Sequence, residues 1–286
     1  MVFTTIPAMT ETLTLDAFAA RLASHTAVDG ILFMGSTGSG ALNAASDYDL
    51  LLILADDPVA PRMVVTWVDG HFTEIYCTPV TALARIVAEP TAWREGSDEG
   101  AVINWLRDGR IVHDRAGRLA GAQAVARAAP PLAVAAPEGA YWAWGTLGYN
   151  VAQAKRYLAS DDPIYREVVD FRLLYGLAEV MKAYFTVRGL PWRGEKEAIR
   201  HWTAHDPAYL AQFRACLAET DRGRKVARYE ELARLTLAPV GELWVAGTAM
   251  VGAGTGWGAG PDAPRGSIEI EETNAFWQAM VTPRNG

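Results

Sequence analysis

Asp47-Tyr-Asp49 runs directly into the apolar stretch Leu50-Leu-Leu-Ile-Leu54, and ten residues separate it from Gly35-Ser36 upstream. Alternation in a strand puts Asp47 and Asp49 on one face. Two carboxylates so placed repel each other unless a cation lies between them. Hard oxygen ligands with room left for phosphate and water suit Mg²⁺. Gly35 and Ser36 end a short apolar run, Ile31–Met34, and offer backbone N–H groups and a hydroxyl on which a phosphate could rest. Downstream, Asp69-Gly70 joins two β-rich runs, Met63–Val68 and His71–Cys77, a strong hairpin signal. The second run sends Phe72, Glu74 and Tyr76 to one face, which makes Glu74 a third carboxylate. Three carboxylates, a phosphate cradle and a metal are the equipment of nucleotidyl transfer.

These residues need elements to hold them. Leu15–Ser24 reads as a helix with apolar residues at helical spacing and Asp16 in its first turn. Asp49–Leu54 reads as a buried strand stopped by Asp56-Asp-Pro58. Helices are expected over Thr81–Ala88 and Asp98–Arg107, then a last strand, Arg110–His113, and an Ala-rich helix. From Glu138 the pattern is helical throughout: Glu138–Leu158, Pro163–Val187, Glu195–Trp202, Pro207–Ala218 and Val226–Trp244. The expected class is α+β: a small mixed sheet with flanking helices, followed by a helical bundle. The boundaries read as a catalytic domain over 1–127, a linker over 128–137, a helical domain over 138–245 and a Gly-rich tail over 246–286 with a short docking segment at Ser267–Met280.

Composition excludes several classes. The 286 residues carry a net charge of −7, which argues against a sequence-independent nucleic-acid coat and against a tRNA- or poly(A)-type polymerase. Two cysteines, Cys77 and Cys216, cannot make a disulfide framework and suggest a reducing compartment. No basic residue precedes an apolar run at the N-terminus, and the apolar runs are strand-sized, so a cytoplasmic protein without a membrane span is expected. Gly35–Gly40 is neither a Walker-type loop nor a dinucleotide fingerprint, because no Gly-Lys-Ser/Thr follows and the glycine spacing differs. His201 and His205 have a zinc-capable spacing, but Asp206-Pro207 ends the helix at once. Tyr141, Trp142, Trp144 and Tyr149 are expected in the bundle core, with an adenine or sugar pocket as the alternative.

Gly-Ser, about ten residues, Asp-x-Asp, an apolar strand and a carboxylate on a following strand together resemble the DNA polymerase β-like nucleotidyltransferase superfamily. The pattern is most similar to the small bacterial adenylyltransferases acting on streptomycin/spectinomycin and kanamycin. The likeness covers about Asp16 to Asp114, with a weaker echo in Gly194-Glu-Lys-Glu-Ala-Ile-Arg-His-Trp202. It implies Gly35 and Ser36 for the triphosphate, Asp47 and Asp49 for Mg²⁺, Glu74 as third metal ligand or general base, and Lys196 on the phosphates. The activity implied is transfer of AMP from ATP, or of another nucleoside monophosphate, to a hydroxyl of a small molecule, with an aminoglycoside-like antibiotic as one acceptor. Asp161, Asp162, Glu167, Asp170 and Glu179 could meet a polycation, though basic residues are as numerous there. The rival class is an antitoxin-like module that modifies or binds a partner protein.

The four lysines, Lys155, Lys182, Lys196 and Lys225, all lie in the helical half, whereas the catalytic half has nine arginines and no lysine. A triphosphate needs cations beyond Mg²⁺, and Lys196 opens a predicted helix within the stretch that carries the resemblance. Loss of one charged contact costs about 1.5–3 kcal/mol. Calorimetric titration of MgATP should therefore show Lys196→Ala binding roughly ten- to a hundredfold more weakly, with Lys182→Ala and Lys225→Ala affected much less. Parental affinity in Lys196→Ala would remove the lysine assignment.

Overall fold

The structure, a computed structural model, describes residues 13–43, 45–57, 60–134, 137–244, 277, 278 and 280. The chain divides into two compact units, Met1–Ala136 and Pro137–Gly286. The class is α+β, as the sequence implies. The Gly-rich tail and its docking segment lie outside the described residues, apart from three helical positions at 277, 278 and 280. Among the described residues no helix is long and apolar enough to cross a membrane.

The first unit is a five-stranded mixed sheet. Its strands are β1 (Val28–Phe33), β2 (Tyr48–Leu54), β3 (Met63–Val68), β4 (His71–Pro79) and β5 (Arg110–Asp114), in the order β3-β4-β2-β1-β5. Asp69 and Gly70, at φ +52° and +76°, make the tight turn between β3 and β4. β4 then returns beside β2 and parallel to it, while the other three pairings are antiparallel.

β1 is buried along its length and β2 nearly so, because both faces are covered, and such strands read as unbroken apolar runs. On one face, α1 (Leu15–Ser24) sets Phe18 and Ala19 in a cluster with Ile31, Phe33, Leu50 and Leu52. On the other, α3 (Val80–Ala88), α4 (Asp98–Asp108) and α5 (Arg118–Ala128) bring Leu83, Ile103, Leu106 and Leu119 onto Leu32, Leu51 and Ile53. Ser97 caps α4 by accepting from the Gly100 N–H, and the buried Gln123 of α5 donates to the Leu106 and Gly109 carbonyls at its far end. Leu132 is buried in the same cluster, and the Glu95 N–H donates to the Ala133 carbonyl, so the segment read as linker packs beyond Ala128.

The second unit is helical: α6 (Pro137–Leu158), α7 (Pro163–Val187), α8 (Glu195–His205), α9 (Pro207–Ala218) and α10 (Arg222–Leu237). Trp202 is fully buried among Tyr184, Tyr209 and Phe213. Asp206 closes α8 and opens α9, accepting from the Tyr209 N–H and the Tyr184 hydroxyl, with Pro207 at the first helical position.

Two expectations are corrected here. The last helix is Arg222–Leu237 instead of Val226–Trp244; its start is set by Asp221, five residues before Val226, which caps it by accepting from the Arg224 N–H. Trp142 and Tyr149 are 53% and 44% exposed and so are not core, whereas Trp144 packs against the core and donates to the Glu242 carbonyl. Both cysteines are free, and burial pushes each thiol up to about 11.

Between α9 and α10 the Glu219 carboxylate accepts from Arg224 and Arg228, each at 3.2 Å, and from the Thr220 and Asp221 N–H groups. The Arg224 hydrogen bond, with help from the others, holds this carboxyl down to about 2, against an ordinary value of 4.5. A carboxyl lowered on folding adds stability above its unfolded pKa and loses it as pH falls toward the folded value. Glu219→Gln should therefore unfold more easily than the parent at pH 6 in urea, and the gap should close between pH 4.5 and 2. A gap independent of pH would mean that the carboxylate's charge is not what holds this corner.

Candidate active site

β2 and β4 run parallel with Asp49 paired to Glu74, so the two carboxylates stand side by side on adjacent strands. Asp47, one residue before β2, completes the group. Each of the three offers a carboxylate oxygen, and these oxygens lie within 4.8 Å of one another on half-buried side chains. The triad occupies the sheet face covered by α3, α4 and α5, just where the apolar covering ends. Tyr76, two residues past Glu74 on the same face, leans on Trp105 at 4.7 Å. Burial, followed by the charges of Glu74, Asp49 and Asp47, pushes its phenol above the usual range. It stays protonated at neutral pH and can donate a hydrogen bond.

The corner between β1 and β2 fixes the aspartates. After Phe33 the chain turns through Met34 into a five-residue helix, α2 (Gly35–Ser39). Thr37 of α2 is 2% exposed, and its hydroxyl faces the aspartates' backbone. Its Oγ1 donates to the Asp47 carbonyl at 3.4 Å and accepts from the Asp49 N–H at 3.0 Å. The Met34 N–H donates to the Asp49 carbonyl at 2.9 Å. Space requires glycine at 38, and the left-handed backbone favours it at 35. A Cβ on Gly38 would lie 2.5 Å from the Phe33 carbonyl oxygen, and one on Gly35, at φ +50°, would lie 3.1 Å from Asp49 Oδ2.

On the opposite face the alternation buries Tyr48, which stacks on His71 at 4.5 Å. His71 Nδ1 lies 2.8 Å from the Ser46 carbonyl and must donate to it. The turn of the β3–β4 hairpin is thus tied to the residues that lead into Asp47.

The donor set fits a hard divalent cation. Three carboxylate oxygens within mutual reach, partly open to water, are ligands of the Mg²⁺ type. The missing side chain at Gly35 keeps the space beside Asp49 clear. The first N–H groups of a helical turn have no partner inside it, and Gly35 and Ser36 supply them here.

The structure brings Asp47, Asp49 and Glu74 together and sets Gly35 against Asp49, with Ser36 next in the same turn. Lys196 belongs to the second unit, exposed at the second position of α8. The His201 and His205 rings lie 4.8 Å apart and tilted, and burial together with His205 pushes His201 below its usual pKa. Sequence reasoning assigned no role to Thr37 or His71. Their contacts are made across 10 to 25 residues of chain and leave no spacing signal. Tyr76 was legible only as a strand neighbour of Glu74.

No protein-family model matches this chain, and no curated protein matches it. Among solved structures it is similar to a nucleotidyltransferase-like protein from Exiguobacterium sibiricum 255-15. The identity is 13%, over 77% of this chain and 71% of that one, with a TM-score of 0.40.

Thr37→Val keeps the side chain's shape and removes the hydroxyl between the two aspartates. Leaving the Asp49 N–H and the Asp47 carbonyl without it should cost about 1–3 kcal/mol in urea unfolding. Thr37→Ser should retain most of the parent's stability. Equal stability of Thr37→Val and the parent would show that this hydroxyl does not fix the corner.

Proposed function

We propose that this protein transfers a nucleoside monophosphate, AMP from ATP, to a hydroxyl of a small molecule, with pyrophosphate leaving. The supporting observation is the carboxylate triad shared by two parallel strands and set against a glycine-bearing helical turn. Asp47 and Asp49 would hold Mg²⁺. When bound, that ion would offset phosphate charge and favour an in-line displacement.

The chain's own groups have separate tasks. The unpartnered N–H groups that open the α2 turn and the Ser36 hydroxyl receive phosphate oxygens. Glu74, on the neighbouring strand, accepts the proton of the attacking hydroxyl or joins Asp47 and Asp49 as a ligand. The protonated Tyr76 phenol donates to an oxygen near Glu74. Thr37 keeps the two aspartates fixed while charge shifts in front of them.

The decisive experiment supplies purified protein with each NTP, Mg²⁺ and a panel of aminoglycosides and lincosamides. Product mass and released pyrophosphate are then measured. One acceptor should gain one nucleotidyl group. Asp47→Asn and Asp49→Asn should abolish turnover while the chain stays as stable as the parent or becomes more so, because carboxylate repulsion is relieved. Near-parental turnover in either variant would overturn the metal assignment. Pyrophosphate formed only with an added protein, which itself gains the nucleotidyl mass, would overturn the small-molecule acceptor.

A further inference from the structure

The two edges of the sheet are built differently. β5, at one end, keeps Arg110, His113 and Asp114 among its five residues, and its pairing with β1 shifts register partway. Charges and bulges are what stop a free strand edge from pairing with another chain. β3, at the other end, has neither. Met63-Val-Val-Thr-Trp-Val68 holds no charged residue and no proline, and it pairs with β4 without a break. Among the described residues β4 is its one neighbour in the sheet. Of its residues Val68 alone joins a core cluster, while Met63, Val65 and Trp67 are 43%, 50% and 67% exposed.

The ladder decides which backbone groups face outward. The Cys77 N–H donates to the Arg62 carbonyl at 2.9 Å, so Arg62 bonds inward to β4. Alternation along an antiparallel pair makes Val64, Thr66 and Val68 do the same. The N–H and C=O groups of Met63, Val65 and Trp67 therefore point away from the sheet. Their side chains share one face, that of Glu74, because Val65 pairs with Glu74.

This edge is complementary to itself. Consider a second copy set antiparallel about a two-fold axis at Val65. Each Val65 then pairs with the other, and Met63 pairs with Trp67 in both directions. Every outward N–H meets an outward carbonyl, and the exposed apolar side chains meet on one face. An axis at any other residue leaves part of this set without a partner. The ends match as well: Arg62 arrives across from Val68 and beside Asp69 of the second copy, and both charged groups are exposed. Such a contact is closed by its own symmetry, so it ends at a dimer.

We infer that β3 is an interface between two copies of this chain, joining their sheets edge to edge about Val65. The interface is independent of the nucleotidyl-transfer reading, since it uses none of the groups that reading assigns.

The test is sedimentation velocity on the full chain from about 1 to 100 µM, with amide hydrogen exchange on the same samples. The parent should pass from monomer to dimer, and exchange at Met63, Val65 and Trp67 should slow as the dimer fraction rises. Val65→Lys sets two ammonium groups against each other across the axis and should raise the dissociation constant roughly tenfold or more, as should Val65→Glu. Mixed one to one, these two variants should associate again, because lysine then faces glutamate; that recovery also shows both to be folded. Val65→Thr should dimerise like the parent, and Met63→Lys, toward the end of the seam, should weaken the dimer. The interface is overturned if the parent stays monomeric throughout or if Val65→Lys dimerises like the parent. Failure of the mixture to associate would overturn the axis at Val65. Slow exchange at these three amides in a monomer would also overturn the interface, since another segment of the same chain would then cover the edge.

Discussion

Mutual repulsion of three carboxylates is the constraint around which the first unit is organised. Their oxygens lie within 4.8 Å of one another, and nothing in their own chemistry draws them together. The backbone does it. Because β4 runs parallel to β2, Asp49 and Glu74 stand side by side on adjacent strands in one register. An antiparallel neighbour would turn its strand end for end. The β3 hairpin is what makes the parallel return possible: it carries the chain out to the sheet edge and back in one tight turn.

Holding charged groups close demands a frame that cannot relax away from them. The apolar runs of β1 and β2 supply it, buried from both sides by α1 and by α3, α4 and α5. At the corner the Thr37 hydroxyl, and on the far face the Tyr48–His71 stack with its tie to Ser46, remove the remaining freedom of the Asp47–Asp49 backbone. A site on strands locked by packing and hydrogen bonds keeps its geometry better than one on loops. The apolar layer ends at Tyr76, so the carboxylates are rigidly held and still reached by water.

The helical unit is held by different means. Its aromatic centre is Trp202 of α8, packed on Tyr184 and Phe185 of α7 and on Tyr209 and Phe213 of α9, and helix ends are joined by polar side chains serving two elements at once. Asp206 caps α9 while accepting from Tyr184 of α7. Arg188, just past α7, lies over the Tyr184 ring at 3.8 Å and donates to the Leu235 and Thr236 carbonyls at the end of α10. Glu219 gathers Arg224 and Arg228 at the start of the same helix. Asp206 and Arg188 satisfy backbone groups that a helix end leaves unpaired, while Glu219 ties side chains of α10 to the turn before it.

The sequence by itself determined what depends on nearest neighbours and on hydrophobic period. The strands around Asp49–Leu54, the Asp69-Gly70 hairpin, the helices at Leu15–Ser24 and Pro163–Val187 and the pairing of two aspartates on one face were all legible, because turn chemistry and burial period act over a few residues. Glu74 was legible as a third carboxylate from alternation alone. Tertiary structure decided the parallel register that sets Asp49 against Glu74, since strand order is fixed by packing between segments that carry no mark of their partners. It also decided the Thr37 clamp and the Ser46–His71 tie, made across 10 to 25 residues of chain. It started the last helix at its Asp221 cap, one turn before the apolar pattern that forms its buried face. It left Trp142, Tyr149 and Trp67 exposed, because aromatic character says what a side chain would gain by burial and not whether a neighbour arrives to bury it.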